Sequence, residues 1–450
     1  MQNRRYAKRH TRKNGRPLIV LIAAAVCIAA IILGIALGIK SCKNSGTDNG
    51  NTDLPSNTEQ EKKEPEKPTE PYVVATAKVG STGDIILHSP FIDNYYDSAT
   101  KSYNYTSIFQ YVKPYYEKYD WMVSNLEVTL GGTAAGAYRG YPVFNSPDSI
   151  VDAAISGGIT MFLTANNHTY DTGYNGMIRT VQVLKQKNMP YIGTRETADE
   201  PTYTVKDING IKIGMACYTY ETKSSVAGRK ALNGNVLKAE AGPLVNSFDY
   251  NNLEAFYKEV QSVLQGMKEQ GAMTTIFYIH WGEEYQLKPN TYQKKIAQKL
   301  CDMGIDVIVG GHPHVIQPFE TLKSADGHET ICIYSTGNSV SNQRQNIMVS
   351  EPTGHTEDGL ILETEYQLYS DGKLKISDVN ILPTWVNLIT SGKRRYYIIP
   401  LKADEDWSKF NLNTYQSAVK SFNRTMELVG PGLNEYRLSH GMTEVQTVRQ

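Results

Sequence analysis

Six apolar runs, Val73–Val79, Trp121–Val123, Ile159–Leu163, Thr274–Ile279, Ile305–Val309 and Ile331–Tyr334, each lead directly into polar or glycine-rich sequence. Short runs bounded this way read as buried strands that empty into loops. Between them the spacing predicts helices over Ser149–Ser156, Tyr174–Asn188, Leu253–Gln270 and Thr291–Met303. In the last, Ile296, Ala297 and Leu300 share one face, and Gly304 stands where a C-terminal glycine belongs. Two hairpins are expected, Tyr203–Asp207 with Lys212–Tyr218 and Leu360–Tyr369 with Leu374–Leu382, the second turning at Ser370, Asp371 and Gly372. This alternation predicts an α/β fold with antiparallel pieces. Beyond residue 401, Trp407, Phe410, Leu412, Tyr415, Val419, Phe422, Met426 and Leu428 recur at roughly helical spacing and stop before Gly430. A helical extension over 402–450 is therefore expected, packed on the body, with a partner-binding helix as the alternative.

The pattern changes upstream of the first strand. From Leu18 to Ile39 run 22 residues without a charge. At about 1.5 Å per helical residue they span roughly 33 Å, enough for a bilayer core. The tail before them, residues 1–17, holds seven basic side chains and no acid. That asymmetry predicts a single-pass protein of the cell membrane, N-terminus cytoplasmic and body extracytoplasmic. A cleaved signal peptide is the alternative, although its apolar core is usually about 7–15 residues. A lipoprotein at Cys42 is the third reading, but Ile39, Lys40 and Ser41 lack the pattern expected before such a cysteine. Residues 40–71 read as a disordered linker: from residue 43 on there is no aromatic, one leucine and four prolines.

Net charge is zero over 450 residues, with 46 basic and 46 acidic side chains. Set aside the tail and 39 basic face 46 acidic side chains. A mildly acidic body without a basic stripe excludes nucleic acid as the main partner. Five cysteines without C-x-x-C spacing exclude a cysteine-built zinc site. The histidines are more informative. Five of nine sit at or just beyond the ends of apolar runs: His88 in GDIILH, His168 in TANNH, His280 in FYIHWG, and His312 with His314 in GGHPH. Strand ends are where α/β sheets gather ligands. Asp84, Glu127, Asn166, Asn167 and Asp171 accompany them. Imidazole, carboxylate and amide oxygen without thiolate suit Mn, Fe or Zn.

The ordered set GDIIL, NLE, TANNHTYDTG, HWGEEY, GGHPHVIQP and YSTGN resembles the bacterial capsule synthesis protein family, the CapA/PgsA type associated with poly-gamma-glutamate. That family is similar to the calcineurin-like metallophosphoesterases. The resemblance implies a four-layer α/β/β/α sandwich over residues 72–401, with a centre of one or two divalent transition metal ions. Carried over by position, Asp84 would bind the first metal and Glu127 would bridge. Asn167, His280 and His312 would hold the second, and His314 would return to the first. His168 would be the proton donor or phosphate-steadying histidine. Asp171 would orient it, cap the following helix, or do both. Phosphoesterases of this type usually carry D-x-H at the first strand; here Ile86 takes the histidine's place, and His88 could enter only through a bend after Leu87. Trp281 and Tyr285 either line a polymer groove or pack in the core.

No Walker-type loop and no G-x-S-x-G elbow occur, which excludes ATP-dependent ligation by this chain alone and the commonest serine-hydrolase route. Two readings follow. One is a membrane-anchored metal-dependent hydrolase acting on a phosphoester or an anionic polymer in capsule synthesis or export. The other is a non-catalytic scaffold for polymer synthase and export subunits. The topology is open to direct test. Protease added to intact cells, after removal of any wall, should digest the body; full protection would contradict an outward-facing one.

Overall fold

The computed structural model describes residues 70–450. The basic tail, the 22-residue apolar run and the stalk up to residue 69 lie outside the described residues. Among the described residues no helix is long and apolar enough to cross a membrane.

Three stretches of chain build two sheets. In the first, β1 (Val73–Ile85), β2 (Trp121–Leu126), β3 (Met161–Leu163) and β4 (Tyr191–Ile192) lie side by side in parallel. Helix α1 (Ser149–Ser156) precedes β3, and α2 (Gly173–Gln186) follows it. The second stretch opens with the antiparallel hairpin β5 (Tyr203–Ile208) and β6 (Ile211–Tyr220). It continues through β7 (Ser247–Phe248), α3 (Leu253–Glu269), β8 (Thr274–His280), α4 (Thr291–Asp302), β9 (Val307–Gly311), β10 (Ile316–Lys323) and β11 (Glu329–Thr336). These form a seven-stranded sheet in the order β7-β6-β8-β9-β11-β10, with β5 on β6. The third stretch returns to the first sheet. There β12 (Asn338–Val340) pairs with the end of β1, and β13 (Asp358–Tyr369), β14 (Leu374–Ile389) and β15 (Arg395–Pro400) extend it antiparallel. The order becomes β15-β14-β13-β1-β2-β3-β4.

Alternation along the strands sets the layers. Ile213, Met215 and Cys217 of β6, with Ile276 and Tyr278 of β8, share one cluster with Ala77, Val79, Val123, Leu360 and Leu362 of the other sheet. The residues between them, Ala216, Tyr218, Phe277 and Ile279, cluster instead with Phe256, Val260 and Val263 of α3 and Ile296 and Leu300 of α4. On the far side Met122, Leu126 and Phe162 cluster with Ile150 and Ala154 of α1 and Leu184 of α2. The result is an α/β fold layered helix, sheet, sheet, helix. Local signals agree with it: α4 opens on a capping box between Asn290 and Gln293, and the chain leaves it through Gly304 at φ +86°.

The C-terminal helix departs from its expected bounds. Trp407–Lys409 is a single tight turn, and helix α5 starts only at Tyr415, where Thr414 accepts from the Ser417 amide. It then runs through Gly430, Pro431 and Gly432 to Ser439. An interior proline costs about 3 kcal/mol. Packing outweighs that here, because Phe422, Met426, Val429, Leu433 and Tyr436 all join the cluster between the sheets, and each such burial contributes roughly 1.5–3 kcal/mol. Gly432 presses so close to β10 that a Cβ would lie 2.0 Å from the Phe319 carbonyl oxygen. Propensity loses to burial.

One ion pair pins this helix. Arg424 donates from Nε to Asp358 Oδ2 at 2.8 Å and from its terminal nitrogen to Oδ1 at 2.7 Å, and Ser421 Oγ adds a bond at 2.6 Å. Asp358 is buried. Removing one partner of a buried pair costs about 3–5 kcal/mol, because the other charge stays behind. Arg424→Met should therefore lower stability by about that amount in chemical denaturation, and adding Asp358→Asn should recover much of the loss.

Candidate metal centre

The site lies at the carboxyl ends of the strands, in the gap between the sheets, and a register shift creates it. On β1, Ala77 and Val79 point into the inter-sheet core. Strict alternation would aim Asp84 at the outer helices. The pairing with β2 instead runs Thr82 to Ser124 and then Asp84 to Asn125, so Gly83 is an extra residue. Such a bulge moves every later side chain to the other face. Only glycine fits there, because a Cβ would lie 1.9 Å from the Gly337 carbonyl oxygen. Asp84 consequently faces the second sheet, where the His312 amide approaches its Oδ2 at 3.4 Å. Glu127 needs no such device: it follows Val123 and Asn125 at the inward period of two, one residue beyond the end of β2.

The second sheet contributes the imidazoles. His280 ends β8 in phase with Ile276 and Tyr278. His312 and His314 form the turn after β9, both with left-handed backbones, φ +97° and +56°. Distances show the convergence. His314 Nδ1 is 3.3 Å from Asp84 Oδ2 and its Nε2 is 3.8 Å from Glu127 Oε1. His280 Nε2 lies 3.3 Å from Glu127 Oε1 and 3.0 Å from Asn167 Oδ1. Among the described residues, two groups have ligand atoms all within 4.8 Å of one another: Asp84, Glu127 and His280, and Glu127, His312 and His314. Glu127 belongs to both. The six residues, Asp84, Glu127, Asn167, His280, His312 and His314, are brought together, and all are buried.

Electrostatics distinguish the two carboxylates. Burial and the neighbouring Asp84 push the Glu127 carboxyl well above its usual range. Burial pushes Asp84 up as well, but His314 and His280 outweigh it and hold that carboxyl below its usual range. Burial drives His280 down to about 3 and His312 well below its ordinary value, so both rings are neutral and able to donate a lone pair. Glu127 Oε1 and His312 Nδ1 are buried without a hydrogen-bond partner. Orphaned acceptors beside a crowded carboxylate pair are costly unless a cation meets them. The donor set fits a divalent transition metal ion.

His168 stands beside this cluster, with Nδ1 2.8 Å from Asp171 Oδ2. The same oxygen accepts the Phe144 amide at 2.7 Å, and the Phe144 ring meets the His168 ring edge-on at 4.7 Å. Asp171 does not cap the next helix; Thr172 holds that position, with no side-chain bond. His88 stays outside both ligand groups. Its Nδ1 accepts the Asn342 amide at 3.3 Å, and its ring rests against Phe144. Trp281 is core, fully buried with Nε1 bonded to the Tyr334 carbonyl, whereas Tyr285 is only half-buried.

Two supporting groups, Asn125 and Tyr220, escape the sequence reading, and a third, Asn166, is named there only as a companion of the histidines. Asn125 Nδ2 reaches Asp84 Oδ1 at 2.8 Å and Glu127 Oε2 at 3.3 Å, holding the acids apart. Its place two residues before Glu127 was the available signal, since both share a strand face. Tyr220 Oη lies 3.1 Å from His312 Nε2, which leaves Nδ1 as that ring's free nitrogen. Asn166 Nδ2 bonds Asn125 Oδ1 at 3.1 Å.

The PGA biosynthesis protein CapA of Bacillus subtilis is 26% identical over 315 residues, 68% of this chain and 74% of that protein. The capsule biosynthesis protein CapA of Bacillus anthracis is 29% identical over 240 residues, 52% of this chain and 54% of that protein, so the chain spans about half of that relative. An NAD 5'-nucleotidase of Haemophilus influenzae is 26% identical over 203 residues, 42% of this chain but only 28% of that protein. Residues 78–343, more than half of the chain and the stretch that carries every residue of the cluster, match the family described as bacterial capsule synthesis protein PGA_cap, and the protein belongs to it.

Proposed function

We propose that this chain is a membrane-anchored, extracytoplasmic protein of capsule synthesis or export, and that its body is a metal-dependent hydrolase. Its target is a phosphoester or the anionic polymer itself, poly-gamma-glutamate. The observation that carries the reading is Glu127, buried, unpartnered at Oε1 and common to both ligand groups. Asp84, Glu127, Asn167, His280, His312 and His314 would hold one or two ions of Mn, Fe or Zn. Such ions would supply water activation and charge neutralisation at the reacting group. The chain's own groups supply the proton. Asp171 fixes the His168 ring through Nδ1 and leaves Nε2 to protonate the leaving oxygen. Phe144 holds that pair from the other side, by its amide on Asp171 and its ring edge on His168. The relative named as a nucleotidase supports phosphoester chemistry, and the two named for capsule biosynthesis support the polymer.

One observation favours the scaffold reading. The histidine expected two residues after Asp84 is Ile86, and His88 is held by Asn342 instead of joining the cluster. On that reading the chain organises polymer synthase and export subunits without catalysis.

Two variants separate the possibilities. Replacing His312 and His314 by Ala should strip bound transition metal and lower the Tm, because metal binding adds to folding stability. A wild-type protein that stays metal-free after exposure to Mn, Fe and Zn, by elemental analysis, would end the metal reading. His168→Asn should keep metal and Tm but lose about 10²–10⁴-fold in hydrolysis of an activated phosphodiester, and polymer output with it. Normal polymer output from His168→Asn would hand the function to the scaffold.

A further inference from the structure

The His-Pro-His turn carries two non-glycine residues in the left-handed region, a conformation that persists only where surroundings over-determine it. Two backbone carbonyls of the turn are gripped from outside the cluster. The Tyr285 amide donates to the Pro313 carbonyl at 2.8 Å. Asn338 Nδ2 donates to the His314 carbonyl at 3.1 Å. The same Asn338 nitrogen lies 2.9 Å from Gln343 Oε1 and 3.0 Å from the Thr356 carbonyl. Gln343 closes the circuit, since its Nε2 donates to Tyr285 Oη at 3.1 Å and its carbonyl accepts Thr356 Oγ1 at 2.9 Å. Asn338 is 0% exposed and Gln343 8%. Asn338 also pairs in register with Asp84, so the circuit ties the histidine turn to the strand that carries the first carboxylate.

We infer that Asn338 and Gln343 are positioning residues for the metal centre, holding the turn so that His312 and His314 converge on Glu127. This rests on the metal reading above. Neither residue belongs to a ligand group. Their amides act on backbone carbonyls and on Tyr285, and through these on the imidazoles. The YSTGN segment thereby gains a role: its asparagine fastens the turn that the preceding strands deliver. Groups that orient metal ligands typically set affinity by about 10- to 100-fold.

The experiment uses the purified full-length protein in detergent, with cobalt(II) as the probe. Wild type, Gln343→Leu and Tyr285→Phe are compared by chelator competition, by the visible cobalt spectrum and by the Tm of the metal-free protein. Gln343→Leu should weaken cobalt binding by about 10- to 100-fold and alter the spectrum. Tyr285→Phe keeps its backbone amide on Pro313 and removes only the Gln343 contact, so it should fall between that variant and wild type. Should Gln343→Leu fail to fold, Tyr285→Phe alone decides. Wild-type affinity and spectrum in the folded variants, even with a lowered Tm, would overturn the inference and leave the metal reading intact. A wild type that takes up no cobalt, zinc or manganese would overturn both.

Discussion

Two carboxylates share one dry pocket, and that constraint organises the molecule. Asp84 and Glu127 are 1% and 0% exposed, and among the described residues neither pairs with a lysine or arginine. Desolvating a carboxylate costs several kcal/mol, and two together repel as well. Among the described residues, imidazoles, the side-chain amide of Asn125 and the backbone amide of His312 stand against that cost. The acids come from one sheet and His280, His312 and His314 from the other. Charge compensation at the centre is therefore also a bond between the two halves of the sandwich. The Gly83 bulge and the left-handed turn at His312 and His314 are local departures from regular structure, each made where a side chain must reach this point.

Much of this was legible from residue types and spacing. The six strands and four helices were visible because burial on one face or both leaves periodic apolar runs. The candidate site was visible because histidines recur at strand ends, where a merely structural histidine has no reason to collect. What stayed hidden depended on long-range contact. Asp84 reaches the inner face only because Gly83 meets Gly337, more than 250 residues away in sequence. Tyr220 and Asn338 bear on the histidine turn through hydrogen bonds that no spacing rule encodes. The C-terminal helix was misjudged in the opposite sense. Gly430, Pro431 and Gly432 look like a terminus, yet the helix runs through them. The slot between the sheets, filled by Met426, Val429, Leu433 and Tyr436, overrules them.

The same contrast bears on how the family can vary. Residues in ligand positions answer to chemistry, and those under them answer to register. A substitution at Gly83 changes no ligand, yet it would aim one elsewhere. Asn125 is similar, because its amide separates two acids that would otherwise compete for one proton.

The first strand has a mechanical consequence. Polypeptide enters the sandwich at Val73 and reaches Asp84 only after roughly 36 Å of extended chain. Along that length β1 is zipped to β13 by nine paired residues, from Val73 with Tyr369 to Thr82 with Ile361, and to β2 on its other side. Tension applied through the segment before Val73 acts along the strand, so these rungs are loaded in shear and must yield together instead of peeling one by one. The turns that hold His280, His312 and His314 lie at its far end, on the other sheet. Force entering at Val73 is therefore met by the whole ladder before it reaches Asp84.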